Sequence, residues 1–204
     1  MMSQTQSIAK KLDIFFQIIQ IVVRIAFVGY LIGLAIIGAG VLFQLNPEMI
    51  GTGYASLELG FMEFDLAESA APKPQQVLLI VAVNMLMMLP VIAGAEIGIR
   101  QIREILTVMK EGQPFHMSIS KNLKKLAVLC LGLGIVINVI SIVNLILISN
   151  TFHITELFIS KTITHVTVNF DVDFTFLAIS AVLLLLSYVF QYGEELQTLS
   201  DETL

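Results

Sequence analysis

The sequence predicts an all-α membrane protein: a bundle of four transmembrane helices with a small extracytoplasmic β element contributed by the two outer loops. Three observations predict it. Four apolar runs approach or exceed the length that crosses a bilayer. Hydrophobic residues make up 56% of the 204 and charged residues only 13%, against about 25% charged in a soluble domain. The basic residues are also segregated along the chain.

A hydrocarbon core about 30 Å thick needs about 20 apolar residues in a helix, because backbone groups in lipid must bond internally. The runs at 25–43, 77–99, 126–148 and 174–190 meet or nearly meet this requirement. The first is too long for the roughly 7–15-residue core of a cleaved signal peptide, so it reads as a retained span. Lys10, Lys11, Arg24, Arg100, Arg103, Lys110, Lys121, Lys124 and Lys125 are nine of the eleven Lys and Arg residues. They lie in the N-terminal segment and in the connection between the second and third spans. Basic connections stay in the cytoplasm, so both ends are expected there and the loops at 44–76 and 149–173 outside. A multi-pass membrane location is expected.

Residues 1–23 read as an amphipathic segment. Ile8, Leu12, Phe15, Phe16 and Ile19 recur at helical spacing between Lys10, Lys11 and Asp13, which predicts a helix lying on the inner leaflet before the chain turns inward. The alternative is a first helix that simply begins early. Residues 100–125 read as a cytoplasmic helical hairpin. Glu96, Arg100 and Glu104 stand four apart and can pair along one face. Gly112 suits a helix C-cap, Pro114 blocks continuation, and Ser118 or Ser120 can cap the third helix. Pro90 removes a backbone bond and is expected to kink the second helix.

The outer loops change period. Leu57, Leu59 and Phe61 alternate with Glu58, Gly60 and Met62, and Val166, Val168, Phe170 and Val172 alternate with Thr167, Asn169, Asp171 and Asp173. Each pattern reads as a half-buried strand, and one strand from each loop could pair.

The residues that could carry chemistry are few. Glu96 is the ionisable candidate within a span, with pairing at the interface as its plainer reading. Asn84, Asn138 and Asn144 are candidate intramembrane polar residues, read as interhelical hydrogen-bonding amides. Gly29 with Gly33 and Gly94 with Gly98 form two GxxxG steps, read as internal packing sites, with homo-oligomerisation as the alternative. His153, Glu156, His165, Asp171 and Asp173 have metal-ligand chemistry but no fixed spacing, so no metal is expected. His116 stands alone, Cys130 can form no internal disulfide, and no catalytic set or phosphate loop appears. The net charge of −5 argues against direct nucleic-acid binding. No enzyme activity and no cofactor are expected.

Residues 191–204 form an acidic terminus with Glu194, Glu195, Asp201 and Glu202 and no basic residue. The stretch Glu195-Leu196-Gln197, the terminus Ser200-Asp201-Glu202-Thr203-Leu204, and the step Gly112-Gln113-Pro114-Phe115 followed by Asn122-Leu123-Lys124-Lys125 resemble a family of bacterial four-helix membrane proteins, domain of unknown function 2975. The resemblance implies the four-helix fold and an association with small helix-turn-helix transcriptional regulators. It makes Pro114, Phe115, Lys121, Lys124, Lys125, Glu195, Asp201 and Glu202 candidate contacts for a cytoplasmic regulator. The expected partners are thus the lipid bilayer, such a regulator and, as an alternative, a second copy of the chain. The expected function is a non-enzymatic sensor or interaction protein; the alternative is a small transporter or permeation subunit.

Overall fold

The computed structural model describes residues 4–43, 56–59, 62–65, 73–112, 115–153 and 172–202. They form α1 (Gln4–Leu42), a hairpin of β1 (Ser56–Leu59) and β2 (Met62–Asp65), α2 (Pro74–Lys110), α3 (Met117–Phe152) and α4 (Thr175–Glu202). All four helices are long and apolar enough to cross a membrane, and the protein is a multi-pass membrane protein on that ground. The 39 residues of α1 extend about 58 Å at 1.5 Å per residue, well beyond the hydrocarbon thickness.

The helices pass through two compact units. The first comprises Met1–Val28, Pro90–Asn138 and Asp173–Leu204; the second comprises Gly29–Leu89 and Val139–Val172.

In the first unit consecutive helices run antiparallel, and each pair has its own joint. Gly94 and Gly98 of α2 seat leucines of α3. A Cβ on Gly94 would lie 2.5 Å from Leu133 Cδ2, and one on Gly98 would lie 3.5 Å from Leu129 Cδ2. This GxxxG step therefore packs within the chain. Between α3 and α4 the seam is made of small residues. Ser120 Oγ donates to the Ser187 carbonyl and Ser187 Oγ to the Ser120 carbonyl, both at 2.9 Å. One heptad along, Ser180 Oγ donates to the Ala127 carbonyl at 2.8 Å. One heptad further, Gly134 faces the Phe176 ring so closely that any Cβ would collide with it. Ala127 and Ser180 are almost fully buried, because small side chains let the backbones approach.

In the second unit Tyr30 Oη donates to the Met85 carbonyl at 2.8 Å, and a Cβ on Gly33 would make ordinary contact with Met85 at 3.5 Å. Gly29 has open space around it. Asn84 Nδ2 reaches Asn144 Oδ1 at 2.9 Å, joining α2 to α3 as the amides were expected to do. β1 and β2 pair antiparallel, with Ser56 opposite Asp65 and Leu59 opposite Met62.

Several expectations change. The alternation over Leu57–Met62 is not one strand but parts of two, separated by Gly60 and Phe61. The alternation in the sequence continues across the break between the two strands, so the period alone does not show where one ends. β1 is paired with β2, and residues 164–171 of the other loop, where the second strand is expected, lie outside the described residues. No turn separates 1–23 from the first span: α1 is continuous, since no proline interrupts residues 4–42. Its buried stripe is Ala9, Asp13 and Gln20, whereas Ile8, Leu12 and Phe15 are exposed. The span at 174–190 does not end in a loose tail, because α4 continues to Glu202 on good helix formers such as Glu, Leu and Gln.

Gly112 ends α2 with φ at +82°, a left-handed conformation in which a Cβ is strained. A Cβ there would also lie 2.7 Å from Gln6 Nε2. Gly112→Ala is expected to lower stability by about 1–2 kcal/mol, the left-handed penalty for a non-glycine residue, read from thermal unfolding in detergent. The cap of α3 is His116, not Ser118 or Ser120. His116 Nδ1 accepts the Ser118 N–H at 3.1 Å, which places the neutral ring's proton on Nε2. Ser120 is instead spent on the α4 seam.

Candidate functional site

The functional candidates gather in the first unit, where α1 and α2 are joined by charge. Asp13, Gln20 and Arg24 lie seven and then four residues apart. At 100° per residue they occupy one narrow stripe of α1. Glu96, Arg103 and Lys110 stand seven apart and form the matching stripe of α2. Asp13 Oδ2 receives Lys110 Nζ at 2.6 Å, and its Oδ1 receives Arg103 Nε at 3.2 Å. Arg103 Nη1 donates to Gln20 Oε1 at 2.6 Å. Gln20 Nε2 donates to Glu96 Oε1 at 2.9 Å. Arg24 meets the same oxygen through Nε at 2.8 Å and Nη2 at 2.7 Å. The result is one continuous ladder, Lys110–Asp13–Arg103–Gln20–Glu96–Arg24, along an antiparallel helix pair.

Asp13 and Gln20 are buried, so each would carry a large desolvation penalty without its partners. The hydrogen bond from Lys110 holds the Asp13 carboxyl below its usual value. Burial opposes this, and the Arg103 hydrogen bond reinforces it. Glu96, expected to pair along its own helix, pairs across to α1 instead. Its Oε2 is buried and has no partner among the described residues. Arg100 takes the i,i+4 contact with Glu104 at 3.3 Å.

Two hollows adjoin the ladder. A polar cleft of about 650 Å³ is lined by residues of α1, α2 and α3, including Arg24, Arg100, Arg103 and Asn122. A second hollow of about 280 Å³ is almost wholly apolar and lies against Val23, Phe27, Ile92, Ala93 and Ile97. Arg24 and Glu96 also line it, so Arg24 belongs to both.

The other predicted residues divide. Asn138 Nδ2 donates to the Asp173 carbonyl at 2.9 Å, and Asn138 Oδ1 accepts the Asp173 N–H at 3.0 Å. It therefore holds the approach to α4. Asp173 Oδ1 accepts the Thr175 N–H at 2.8 Å, and hydrogen bonding to the Thr175 side chain first, and to this N–H second, keeps its carboxyl below the usual value. Asp173 is a helix cap rather than a strand residue. Among the described residues no group of His, Cys, Asp and Glu could hold a metal; Glu156, His165 and Asp171 lie outside them. Phe115 lies against α4 while staying exposed: its ring centroid is 6.0 Å from that of Phe190, and a Cβ on Gly193 would lie 2.5 Å from Phe115 Cδ1. Lys121, Lys124 and Lys125 are exposed, and no ion pair among the described residues joins them to α4. Glu195 and Glu202 are likewise exposed on α4, the side chain of Asp201 lies outside the described set, and so does Pro114.

Sequence reading did not bring the ladder together. Its signal was present in the heptad spacing of Asp13 and Gln20 and of Glu96, Arg103 and Lys110.

No family model, curated protein or solved structure matches the chain.

Proposed function

We propose that the protein is a non-enzymatic membrane sensor or interaction protein of a bacterial inner membrane, with both termini in the cytoplasm and a small helix-turn-helix regulator as its partner. The observation that carries this reading is the form of α4 beyond the apolar span. It continues as helix for about three more turns with Tyr192, Leu196 and Leu199 exposed. These residues recur at i, i+4 and i+7, the pattern of a helix that lays an apolar face into a groove. Glu195 and Glu202 flank that face, and the unpaired Lys121, Lys124 and Lys125 supply charge of the opposite sign nearby in sequence to the α3 cap. Nine of the eleven basic residues fall on the side this orientation places in the cytoplasm.

A transporter or permeation subunit is the alternative, and the polar residues of the spans support it less. Asn84, Asn144 and Asn138 spend their amides on bonds between or within helices, which suits bundle glue better than a lined path.

The test is site-specific photocrosslinking from Leu196 in growing cells, followed by identification of the captured protein. A cytoplasmic regulator is expected. Deleting Ser200 to Leu204 while neutralising Lys121, Lys124 and Lys125 should abolish its capture. Undiminished capture in that variant would sink the reading.

A further inference from the structure

The polar cleft and the apolar hollow beside the ladder share Arg24, and their chemistry differs in a directed way. Arg24 and Arg100 stand at the boundary where the apolar spans at 25–43 and 77–99 give way to charge. Phe27, Ile92 and Ala93 lie on the apolar side of that boundary. A site of this form is cationic at headgroup depth and greasy toward the hydrocarbon.

The guanidinium groups are not used up by the ladder. Each has five N–H donors. Arg100 spends only Nε, on Glu104, and its side chain is 74% exposed. Arg24 spends Nε and Nη2 on one carboxylate oxygen and is 64% exposed. Forked donors of this kind match phosphate oxygens. A second, independent observation points the same way. Asn122 lines the cleft and is only 6% exposed, yet its side-chain amide makes no hydrogen bond among the described residues. Its amide opens to the cleft and is not among the fully buried unpartnered groups, and an anion seated there would give its Nδ2 an acceptor.

We propose that the cleft and hollow together bind an anionic phospholipid, its phosphate among Arg24, Arg100 and Asn122 and one acyl chain in the hollow against Phe27, Ile92 and Ala93. The site takes the lipid rather than a free phosphate because the apolar half adjoins the cationic half through Arg24. It favours an anionic over a zwitterionic headgroup because the arginines and Lys110 outnumber Asp13, Glu96 and Glu104 by one.

The experiment uses the full-length protein in detergent, with lipid retention followed by native mass spectrometry. The probes are dioleoylphosphatidylglycerol, dioleoylphosphatidylcholine and inorganic phosphate. The phosphatidylglycerol is expected to bind about tenfold more tightly than the phosphatidylcholine, and inorganic phosphate is expected not to displace it. Arg100→Gln with Asn122→Ala should weaken phosphatidylglycerol binding about tenfold. Neither side chain hydrogen-bonds to a ladder residue, and the lipid-free thermal midpoint, measured alongside, separates a loss of the site from a loss of the fold. Ala93→Phe fills the hollow without altering any charge and should weaken binding to a similar degree. Equal binding of the two lipids would overturn the proposal, as would binding untouched by the Arg100 and Asn122 changes. Displacement by inorganic phosphate, or indifference to Ala93→Phe, would reduce the site to a plain anion site and overturn it equally.

Discussion

Replacing Asp13 with alanine is expected to destabilise the protein by about 3 kcal/mol. The carboxylate is the one acceptor for both Lys110 and Arg103. Without it, two like charges face each other with no anion between them. Breaking a buried ion pair from one side costs about 3–5 kcal/mol. The lower end applies because the Arg103 and Lys110 side chains are 31% and 27% exposed and recover part of their solvation. Thermal or denaturant unfolding in detergent measures the loss. Adding Lys110→Met to Asp13→Ala should restore part of it, since one stranded charge is then removed. A single variant as stable as the parent would show that the ladder contributes nothing. The effect has a pH counterpart. Asp13 lies ahead of the apolar span, and its pKa is lowered on folding. Its stabilisation is therefore present above the ordinary carboxylate pKa and is lost as the pH falls through the lowered folded value.

Gly134→Leu is the second large effect. Any Cβ at this position meets the Phe176 ring, and the joint is fixed on one side by serine hydroxyl bonds to backbone carbonyls and on the other by the Asn138 amide on the Asp173 backbone, so the helices cannot part locally without breaking them. Overpacking of this kind costs about 1–3 kcal/mol and sometimes more; about 3 kcal/mol is expected here. Gly132→Leu provides the control, because nothing lies within 4 Å of a Cβ at that position. A similar shift in melting temperature for both variants would mean that the cost comes from losing glycine rather than from the seam.

The spans were legible because hydropathy reports them directly, and the parts that joined them were less so. Gly112 was readable as a cap because few residues accept positive φ. Asn84 and Asn144 were readable as glue because amides in a span need partners. Gly94 and Gly98 were readable as packing sites, but the same motif at Gly29 left open space, so the pattern does not name its neighbour. The ladder is not legible from charge position alone: the Arg103 and Lys110 that orient the chain also pair with Asp13, and spacing does not show which helix they meet. Asp13 looked like the polar face of a surface helix. Only the position of α2 reveals that this polar face points inward and that Ile8, Leu12 and Phe15 point outward. The Ser120–Ala127–Gly134 series was invisible to a hydropathy reading because its members are set apart by size, not by polarity. Polar composition suggests a tail after residue 190, whereas the helix propensity of Glu, Leu and Gln continues α4 to Glu202.

Seven-residue spacing occurs twice in the first unit, once in the charged joint between α1 and α2 and once in the small-residue joint between α3 and α4. Seven residues fall about 20° short of two full turns of a straight α-helix. A stripe that repeats strictly every seven residues therefore drifts around its helix. Two helices that keep such stripes in register do so by coiling around each other in the left-handed sense, at a shallow crossing of about 20°. Two joints of unlike chemistry, one of ions and one of methyl-sized side chains, thus impose the same hand of supercoil.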